Sequence, residues 1–120
     1  DCQKLDFGEA ATNLYFLQYK TGAKERALEF KLSLEEFINK ISQNCYYCGD
    51  EPEYLGADMF KRYHGSIYAN GIDRIDSKKG YSIKNTVPCC KFCNMAKLDL
   101  SKKDFLANVK RVVQFQNGFD

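Results

Sequence analysis

The chain has 120 residues, with 18 Lys and Arg against 16 Asp and Glu, a single His and six Cys. A chain of this length suffices for one domain, which buries roughly two-thirds of the surface that the unfolded chain exposes. The hydrophobic content of 44% excludes a low-complexity protein, and every apolar run is shorter than the roughly 18 residues of a membrane span. No signal peptide is visible, and a start at Asp1 is compatible with removal of an upstream segment.

Basic residues are concentrated in the middle of the chain. Residues 61–97 carry eight basic side chains against two acidic ones, Asp73 and Asp76, whereas residues 1–60 carry six against eleven. Such a local excess is typical of a surface that contacts phosphates, although an ordinary solvated lysine-rich loop has the same composition. The candidate phosphate contacts are Lys78, Lys79, Lys84, Lys91 and Lys97.

Two helices are predicted before the first cysteines. From Asp6 to about Arg26, apolar residues recur at spacings of three and four without a proline, which predicts a long amphipathic helix. Gly22 is its weakest position, because glycine costs about 1 kcal/mol relative to alanine inside a helix. Ser33 and Glu36 have the spacing of a capping box, so a second helix is predicted from Leu34 to Ser42.

Two short strands are predicted further along. The segments from Ile72 to Ile75 and from Ile83 to Val87 flank the turn-rich residues 77–80, a pattern that predicts a hairpin. We expect Pro88 to end the second strand, because proline cannot donate to a strand ladder. Residues 50–70 show no clean period and receive no assignment.

Two further helices are predicted near the C-terminal end. A short one runs from Cys90 to Ala96 or Lys97, and the last begins at Ser101, three residues before Asp104. The apolar residues of the last helix recur at helical spacing and are predicted to form a buried stripe. They are Phe105, Leu106, Val109, Val112, Val113 and Phe115.

Four cysteines form two closely spaced pairs, Cys45-x2-Cys48 and Cys90-x2-Cys93. Each turn can place both sulfurs on one tetrahedral ion at about 2.3 Å, so the pairs predict a structural zinc site with no open position for substrate. The alternatives are two disulfides in a secreted protein, or a site that uses Cys89 in place of Cys90. Cys48 and Cys90 enclose 41 residues, against about 15–20 in an ordinary zinc ribbon, which leaves room for a functional element.

The combination of these motifs resembles the zinc-stapled, phage-type HNH endonucleases of the ββα-metal (His-Me finger) superfamily. The resemblance covers about residues 19–106. It is carried by Cys45-x2-Cys48-Gly49, Asn70-Gly-Ile-Asp-Arg-Ile-Asp76, Lys79-Gly-Tyr81, Asn85, Val87-Pro-Cys-Cys90, Cys93-Asn94 and Lys97, with a helical lead-in that contains Tyr19-Lys20, Ala23-Lys24, Arg26 and Phe30-x-Leu32.

The resemblance implies an α+β fold with a ββα-metal core, a structural four-cysteine zinc site and flanking N-terminal and C-terminal helices. The chain then forms a single nuclease-like domain. Residues 1–43 are the helical lead-in, residues 44–98 the zinc-stapled core, and residues 99–120 the C-terminal helix.

The resemblance also implies a metal-dependent endonuclease that cuts or nicks double-stranded DNA. By position, Asp73 and Asn94 would bind the catalytic Mg²⁺ or Mn²⁺, and Asn85 would orient the loop that carries the general base. Carboxylate and amide oxygens suit such a hard cation. The simpler alternatives are that Asp73 pairs with Arg74 or a lysine, and that the two asparagines are turn and cap residues.

One position departs from the family pattern. Arg74 stands where the family usually has its general-base His, and arginine cannot accept a proton at neutral pH. The candidates for the base are therefore Asp76, His64 and Tyr81, while Arg74 would clamp the phosphate with its planar guanidinium group.

Two other functions remain open from the residues. The chain could be a zinc-stapled nucleic-acid-binding module whose catalytic centre has decayed at Arg74, or a redox protein that uses its Cys-x-x-Cys motifs. Reduced cysteines favour an intracellular setting, in a bacterium or a phage-infected cell.

Overall fold

The computed structural model describes residues 7–56 and 65–118, which form four helices and four short strands. The helices are α1 (Phe7–Glu25), α2 (Leu34–Ile41), α3 (Lys91–Lys97) and α4 (Lys102–Gln116), and the strands are β1 (Glu53–Leu55), β2 (Ile67–Ala69), β3 (Gly71–Arg74) and β4 (Thr86–Cys89). This confirms the predicted α+β class. None of the helices in this part of the chain combines the length and the apolar content that a bilayer crossing requires.

The hydrophobic core lies where α1 and α2 meet the β3–β4 hairpin. At its centre Phe37 is fully buried and packs edge-on against the rings of Tyr15 and Phe16, with centroids 5.6 and 5.3 Å away. Helix α1 continues through Gly22 without a break, and both hydrogen bonds of the capping box at Ser33 are formed. The other buried members of the core are Ala11, Ala23, Leu32, Ile41, Ala69, Ile72 and Tyr81.

Strands β3 and β4 form the predicted antiparallel hairpin, but the second strand covers Thr86–Cys89 instead of Ile83 to Val87. The prediction that Pro88 ends this strand is wrong. Pro88 lies inside β4, opposite Ile72. The N–H of Ile72 donates to the hydroxyl of Tyr19, and the carbonyl of Pro88 accepts from the N–H of Tyr46. Both groups therefore point away from the partner strand, at a place where the N–H that proline lacks is not needed.

Strands β1 and β2 are a pair that the sequence did not predict. They are antiparallel, with Tyr54 opposite Tyr68. These two side chains are exposed and pack edge-on, 5.6 Å apart. Strands of three residues with an outward-facing aromatic pair are too short to show an alternating pattern.

The predicted buried stripe on the last helix is mostly wrong. Ser101 caps α4 as expected, and Phe105 is buried against the ring of Tyr47, with centroids 5.3 Å apart. The other five apolar side chains are 42–79% exposed, because no other element among the described residues packs along this face. They are Leu106, Val109, Val112, Val113 and Phe115.

Gly71 provides a stability test of the contact between α1 and β3. A Cβ atom at this position would collide with the hydroxyl of Tyr19 and lie 3.3 Å from that of Tyr15. We expect Gly71→Ala to lower the free energy of unfolding by about 1–3 kcal/mol through overpacking. Urea unfolding measures the change.

The matched control is Gly22→Ala, since a Cβ atom there meets only the Arg26 guanidinium at 3.7 Å. This variant should be stabilised by about 0.5–1 kcal/mol, because alanine favours a helix interior. A Gly71→Ala variant as stable as the unaltered chain would show that the packing of α1 on β3 is described incorrectly.

Candidate functional site

The two cysteine pairs meet in space. The sulfur atoms of Cys45, Cys48, Cys90 and Cys93 all lie within 4.8 Å of one another, and those of Cys48 and Cys90 are 3.6 Å apart. A tetrahedral zinc ion with Zn–S bonds of about 2.3 Å has sulfurs about 3.8 Å apart, so the cluster has the size of a zinc site. Cys89 is not part of it, and none of the described cysteines forms a disulfide.

The local backbone geometry directs the sulfur atoms of each cysteine pair towards the centre of the cluster. Gly49 has φ +84, which favours glycine, and its N–H donates to the carbonyl of Cys45 over 2.9 Å. At the other pair, Cys90 is the N-cap of α3 and its sulfur accepts from the N–H of Cys93. Both turns therefore close around their sulfur atoms.

The thiols of the cluster differ in acidity. Burial raises the pKa of Cys45, but hydrogen bonds from the backbone N–H groups of Cys90, Cys48 and Tyr47 outweigh it and hold the pKa at about 7. Burial and the neighbouring thiols of Cys90 and Cys48 raise the pKa of Cys93. Because thiolates are the metal ligands, a zinc ion bound here would displace the protons that the less acidic thiols retain.

Asp73, in strand β3, is 7% exposed. Its Oδ2 accepts a hydrogen bond of 2.8 Å from the hydroxyl of Tyr47 and lies 3.2 Å from Nζ of Lys97. Lys97 is fully buried and also donates to the carbonyl of Arg74 over 3.2 Å. Burial and the Asp73 carboxylate raise the pKa of Tyr47, so its hydroxyl stays protonated and donates.

Both partners of Asp73 come from segments that carry cysteine ligands. Tyr47 lies between Cys45 and Cys48, and Lys97 follows Cys93 by four residues on α3. The four-cysteine cluster thus fixes the positions of Tyr47 and Lys97, the two residues that hold the Asp73 carboxylate. Of the simpler alternatives stated above, pairing of Asp73 with a lysine is what the structure has.

Asp73 opens onto a cleft of about 570 Å³. Asn94, on α3, lines the same cleft, and its side chain is exposed and makes no hydrogen bond to the described residues. The structure therefore brings the two candidate oxygen ligands to one cavity. Three basic residues, Arg26, Arg74 and Lys91, also line it.

Asn85 braces the loop between β3 and β4. Its Oδ1 accepts from the N–H of Asp76 over 3.0 Å, and its Nδ2 donates to the carbonyls of Asp76 and Gly80 over 3.1 and 2.8 Å. The carboxylate of Asp76 accepts from the N–H of Lys78 over 3.0 Å. These bonds connect the two ends of the loop through one side chain, and the orienting role of Asn85 stays a prediction.

Arg74 is also bonded to this loop. Its Nη1 donates to the carbonyls of Ser77 and Lys79, and the guanidinium lies 5.4 Å from the centre of the Tyr81 ring. The hydroxyl of Tyr81 accepts a hydrogen bond of 2.7 Å from Arg26. Two arginines from distant parts of the chain thus meet on one buried tyrosine at the wall of the cleft.

The three candidates for the general base have different positions. Tyr81 lines the cleft, but it is buried and its hydroxyl is bonded to Arg26. Asp76 is half-buried and does not line the cleft. His64 lies outside the described residues.

The candidate phosphate contacts divide into two groups. Four of the lysines are exposed, and among these only Lys91 lines the cleft with Asp73. The buried position of Lys97 differs from that of an exposed phosphate ligand. The exposed members are Lys78, Lys79, Lys84 and Lys91.

Sequence reasoning missed Arg26 and Tyr47 as site residues and the pairing of Lys97 with Asp73. Arg26 follows α1, far from the cysteine pairs in sequence, and only the folded chain places it at the cleft. The sequence did carry a signal for Tyr47, which stands between two cysteines of the cluster and therefore near the second cysteine pair.

Removal of the Lys97 charge tests the buried pair. Lys97→Met leaves the Asp73 carboxylate buried with Tyr47 as its partner, and we expect a loss of about 3–5 kcal/mol in unfolding free energy. The double variant Asp73→Asn with Lys97→Met removes both charges and should recover most of that loss.

Lys91→Met is the control, since this lysine is exposed on the same helix and its loss should change stability by no more than about 0.5 kcal/mol. Chemical unfolding of the four proteins measures all these differences. Equal stability of Lys97→Met and the unaltered chain would contradict the pairing described here.

Comparison with known proteins identifies the fold of the chain. No protein-family model matches the chain. Uncharacterized protein R423 of Acanthamoeba polyphaga mimivirus is 33% identical over 100 residues, which cover 83% of this chain and only 16% of that protein. Among solved structures, the rare-cutting HNH restriction endonuclease PacI matches with a TM-score of 0.60 and 20% identity, over 91% of this chain and 82% of PacI. The chain therefore has the fold of an HNH endonuclease and a four-cysteine cluster suited to zinc.

Proposed function

We propose that the chain is a metal-dependent HNH-type endonuclease that hydrolyses phosphodiester bonds of double-stranded DNA, by cutting or nicking. One observation carries the proposal: Asp73 and Asn94, the two expected oxygen ligands, line one cleft. The DNA substrate is taken from the likeness to PacI, a restriction endonuclease. The basic residues along the cleft suit a polyanion.

Two metals with different tasks belong to this proposal. Zinc in the four-cysteine cluster is structural, because four thiolates leave no open position. Asp73 and Asn94 would hold Mg²⁺ or Mn²⁺, since Tyr47 and Lys97 use only part of the lone pairs of the Asp73 carboxylate. Such an ion, when bound, stabilises the charge that develops on the phosphate and the leaving oxygen.

The remaining groups orient the reactants. Tyr47 and Lys97 hold Asp73 in one orientation. Arg74 uses Nη1 for the loop carbonyls, which leaves its other N–H groups to bind a non-bridging phosphate oxygen. Asp76 lies on the loop that Asn85 braces and does not line the cleft, so its role as the general base stays a prediction.

A specific observation favours the second candidate, a decayed nucleic-acid-binding module. The ammonium of Lys97 lies against the carboxylate that would bind the catalytic cation, and Arg74 occupies the usual position of the base. Such a module would bind DNA with an affinity that falls as salt rises and would not cleave it.

The cysteines bear on the compartment. All five described cysteines are free of disulfides, and thiol-ligated sites are typical of reducing environments. The intracellular setting, in a bacterium or a phage-infected cell, therefore remains our proposal.

The division of the chain into a helical lead-in (residues 1–43), a core (residues 44–98) and a C-terminal helix (residues 99–120) stays a prediction.

A plasmid-cleavage assay tests the proposed activity. With Mg²⁺ or Mn²⁺ the chain should nick or linearise supercoiled plasmid, and with a chelator it should not. Asp73→Ala and Asn94→Ala should each lower the rate by about 100-fold or more, because each removes a ligand of the catalytic ion.

Asn39→Ala is the matched control, because Asn39 is exposed on α2 and does not line the cleft. Unchanged cleavage by Asp73→Ala and Asn94→Ala would refute the assigned ligands. Salt-sensitive DNA binding by the unaltered chain, without cleavage under any divalent ion, would instead support the decayed module.

A further inference from the structure

Lys97 lies against both oxygen atoms of the Asp73 carboxylate. Its Nζ is 3.4 Å from Oδ1 and 3.2 Å from Oδ2, and it also donates to the carbonyl of Arg74 over 3.2 Å. The lysine is fully buried and the aspartate is 7% exposed, so salt and water screen the two charges little. The ammonium therefore neutralises the carboxylate that would bind the catalytic cation.

We expect this ammonium to stay in place when a ligand enters the cleft. Three oxygen atoms hold it. Its departure would leave the Asp73 carboxylate buried with the Tyr47 hydroxyl as its remaining partner among the described residues, and a buried charge without a counter-charge is strongly unfavourable. A cation that takes an oxygen of Asp73 must then share the carboxylate with an ammonium, and the two like charges repel each other.

The charges that line the cleft have the same effect. Among the described residues, three basic side chains line it against two acidic ones, Glu53 and Asp73, and the charge of Asp73 is balanced by Lys97. The four-cysteine cluster contributes no lining residue. Before DNA binds, the cleft therefore carries a positive charge, which attracts a polyanion and disfavours a divalent cation. The basic residues are Arg26, Arg74 and Lys91.

A bound DNA strand would reverse this balance. Each phosphate group brings one negative charge, and Mg²⁺ is usually bound by one or two carboxylates together with substrate phosphates. A phosphate at Asp73 and Asn94, which line the same cleft, would thus supply both the charge and the ligand atoms that the free chain lacks.

We propose that the divalent cation enters the cleft only after duplex DNA, because Lys97 neutralises the Asp73 carboxylate until a DNA phosphate adds negative charge. The inference rests on the proposed function for the identity of the metal ligands and of the substrate. Lys97 acts here as a positioning residue, since it sets the order of binding through Asp73. By linkage, DNA and the cation raise each other's affinity by the same factor.

Titration calorimetry with Ca²⁺ tests the order of binding without any substitution in the chain. Ca²⁺ takes oxygen ligands as Mg²⁺ does, and a gel checks that the DNA stays intact. Ca²⁺ is titrated into the purified chain and into its complex with a short duplex. The blank is the complex of the double variant Asp73→Asn with Lys97→Met, which has the net charge of the unaltered chain but no carboxylate at the site.

We expect the complex to bind Ca²⁺ at least about tenfold more tightly than the chain alone, a coupling in the usual range for two linked ligands. The double-variant complex should show only the weak cation binding of DNA itself. Equal affinity of the free chain and of the complex would overturn the proposal. Binding by the double-variant complex as tight as by the unaltered complex would overturn it too.

A second measurement separates this role of Lys97 from a purely structural one. Without DNA, Lys97→Met should bind Ca²⁺ at least about tenfold more tightly than the unaltered chain, and Ca²⁺ should raise its unfolding temperature, since a ligand of the folded state stabilises that state. The matched control is Lys110→Met, which removes a charge from an exposed residue of α4 that does not line the cleft. The Ca²⁺ affinity of the control should be unchanged. A less stable Lys97→Met with unchanged Ca²⁺ affinity would assign Lys97 a structural role and overturn the proposal.

The outcomes for the order of binding and for the nuclease are distinct. Tight Ca²⁺ binding by the free chain, together with plasmid cleavage under Mg²⁺, would refute the order and keep the nuclease. DNA-dependent Ca²⁺ binding that requires Asp73, without cleavage under any divalent ion, would keep the order and refute the nuclease. Absence of Ca²⁺ binding in both states would refute the order, whether or not Mg²⁺ supports cleavage.

Discussion

The convergence of four sulfur atoms is the constraint on which the candidate site depends. The turn at Cys45 and Cys48 and the start of α3 at Cys90 and Cys93 are distant in sequence, and the cluster brings them together. Tyr47 projects from the first segment and the α3 residue Lys97 from the second, and both contact the same carboxylate, that of Asp73. The position of Asp73 is therefore set from two sides by elements that the cluster joins.

Helix α3, which lines the site, is too short to be stable in isolation. Helix α3 has seven residues, and β3 and β4 have four each, whereas isolated helices below about 12–15 residues are marginal in water. The aromatic core around Phe37 packs α1 and α2 against the hairpin, and none of its buried members among the described residues belongs to α3. A zinc ion bound by the four cysteines would contribute an apparent free energy on the order of 10–16 kcal/mol to folding.

Features that depend on residues close together in the sequence were predicted from it. The capping box at Ser33 and the turns at the two Cys-x2-Cys pairs follow from residues a few positions apart, because the backbone geometry of a cap or a turn is local. The convergence of the two pairs was predicted from the ligand chemistry of zinc, and the role of Asn85 was predicted only from the resemblance. The resemblance to HNH endonucleases extended this to the fold, and the structural likeness to PacI confirms it.

Features that depend on long-range contacts were not predicted. The spacing of the α4 stripe defines a face but does not say whether another element covers it, so Val109 was expected to be buried and is exposed. Pro88 was expected to end a strand because the direction of its missing N–H cannot be read from the sequence. Lys97 was counted as a surface charge because its burial requires Asp73, 24 residues away along the chain, as a partner.

The most direct test of the central claim is the zinc content of the purified chain, measured together with its thermal unfolding. The account predicts one zinc ion per chain. Cys93→Ser should lose it and unfold at a much lower temperature, whereas Cys89→Ser, which alters a buried cysteine outside the cluster, should retain it. A chain without zinc, or a Cys93→Ser variant as stable as Cys89→Ser, would contradict the claim that the cluster holds the candidate site together.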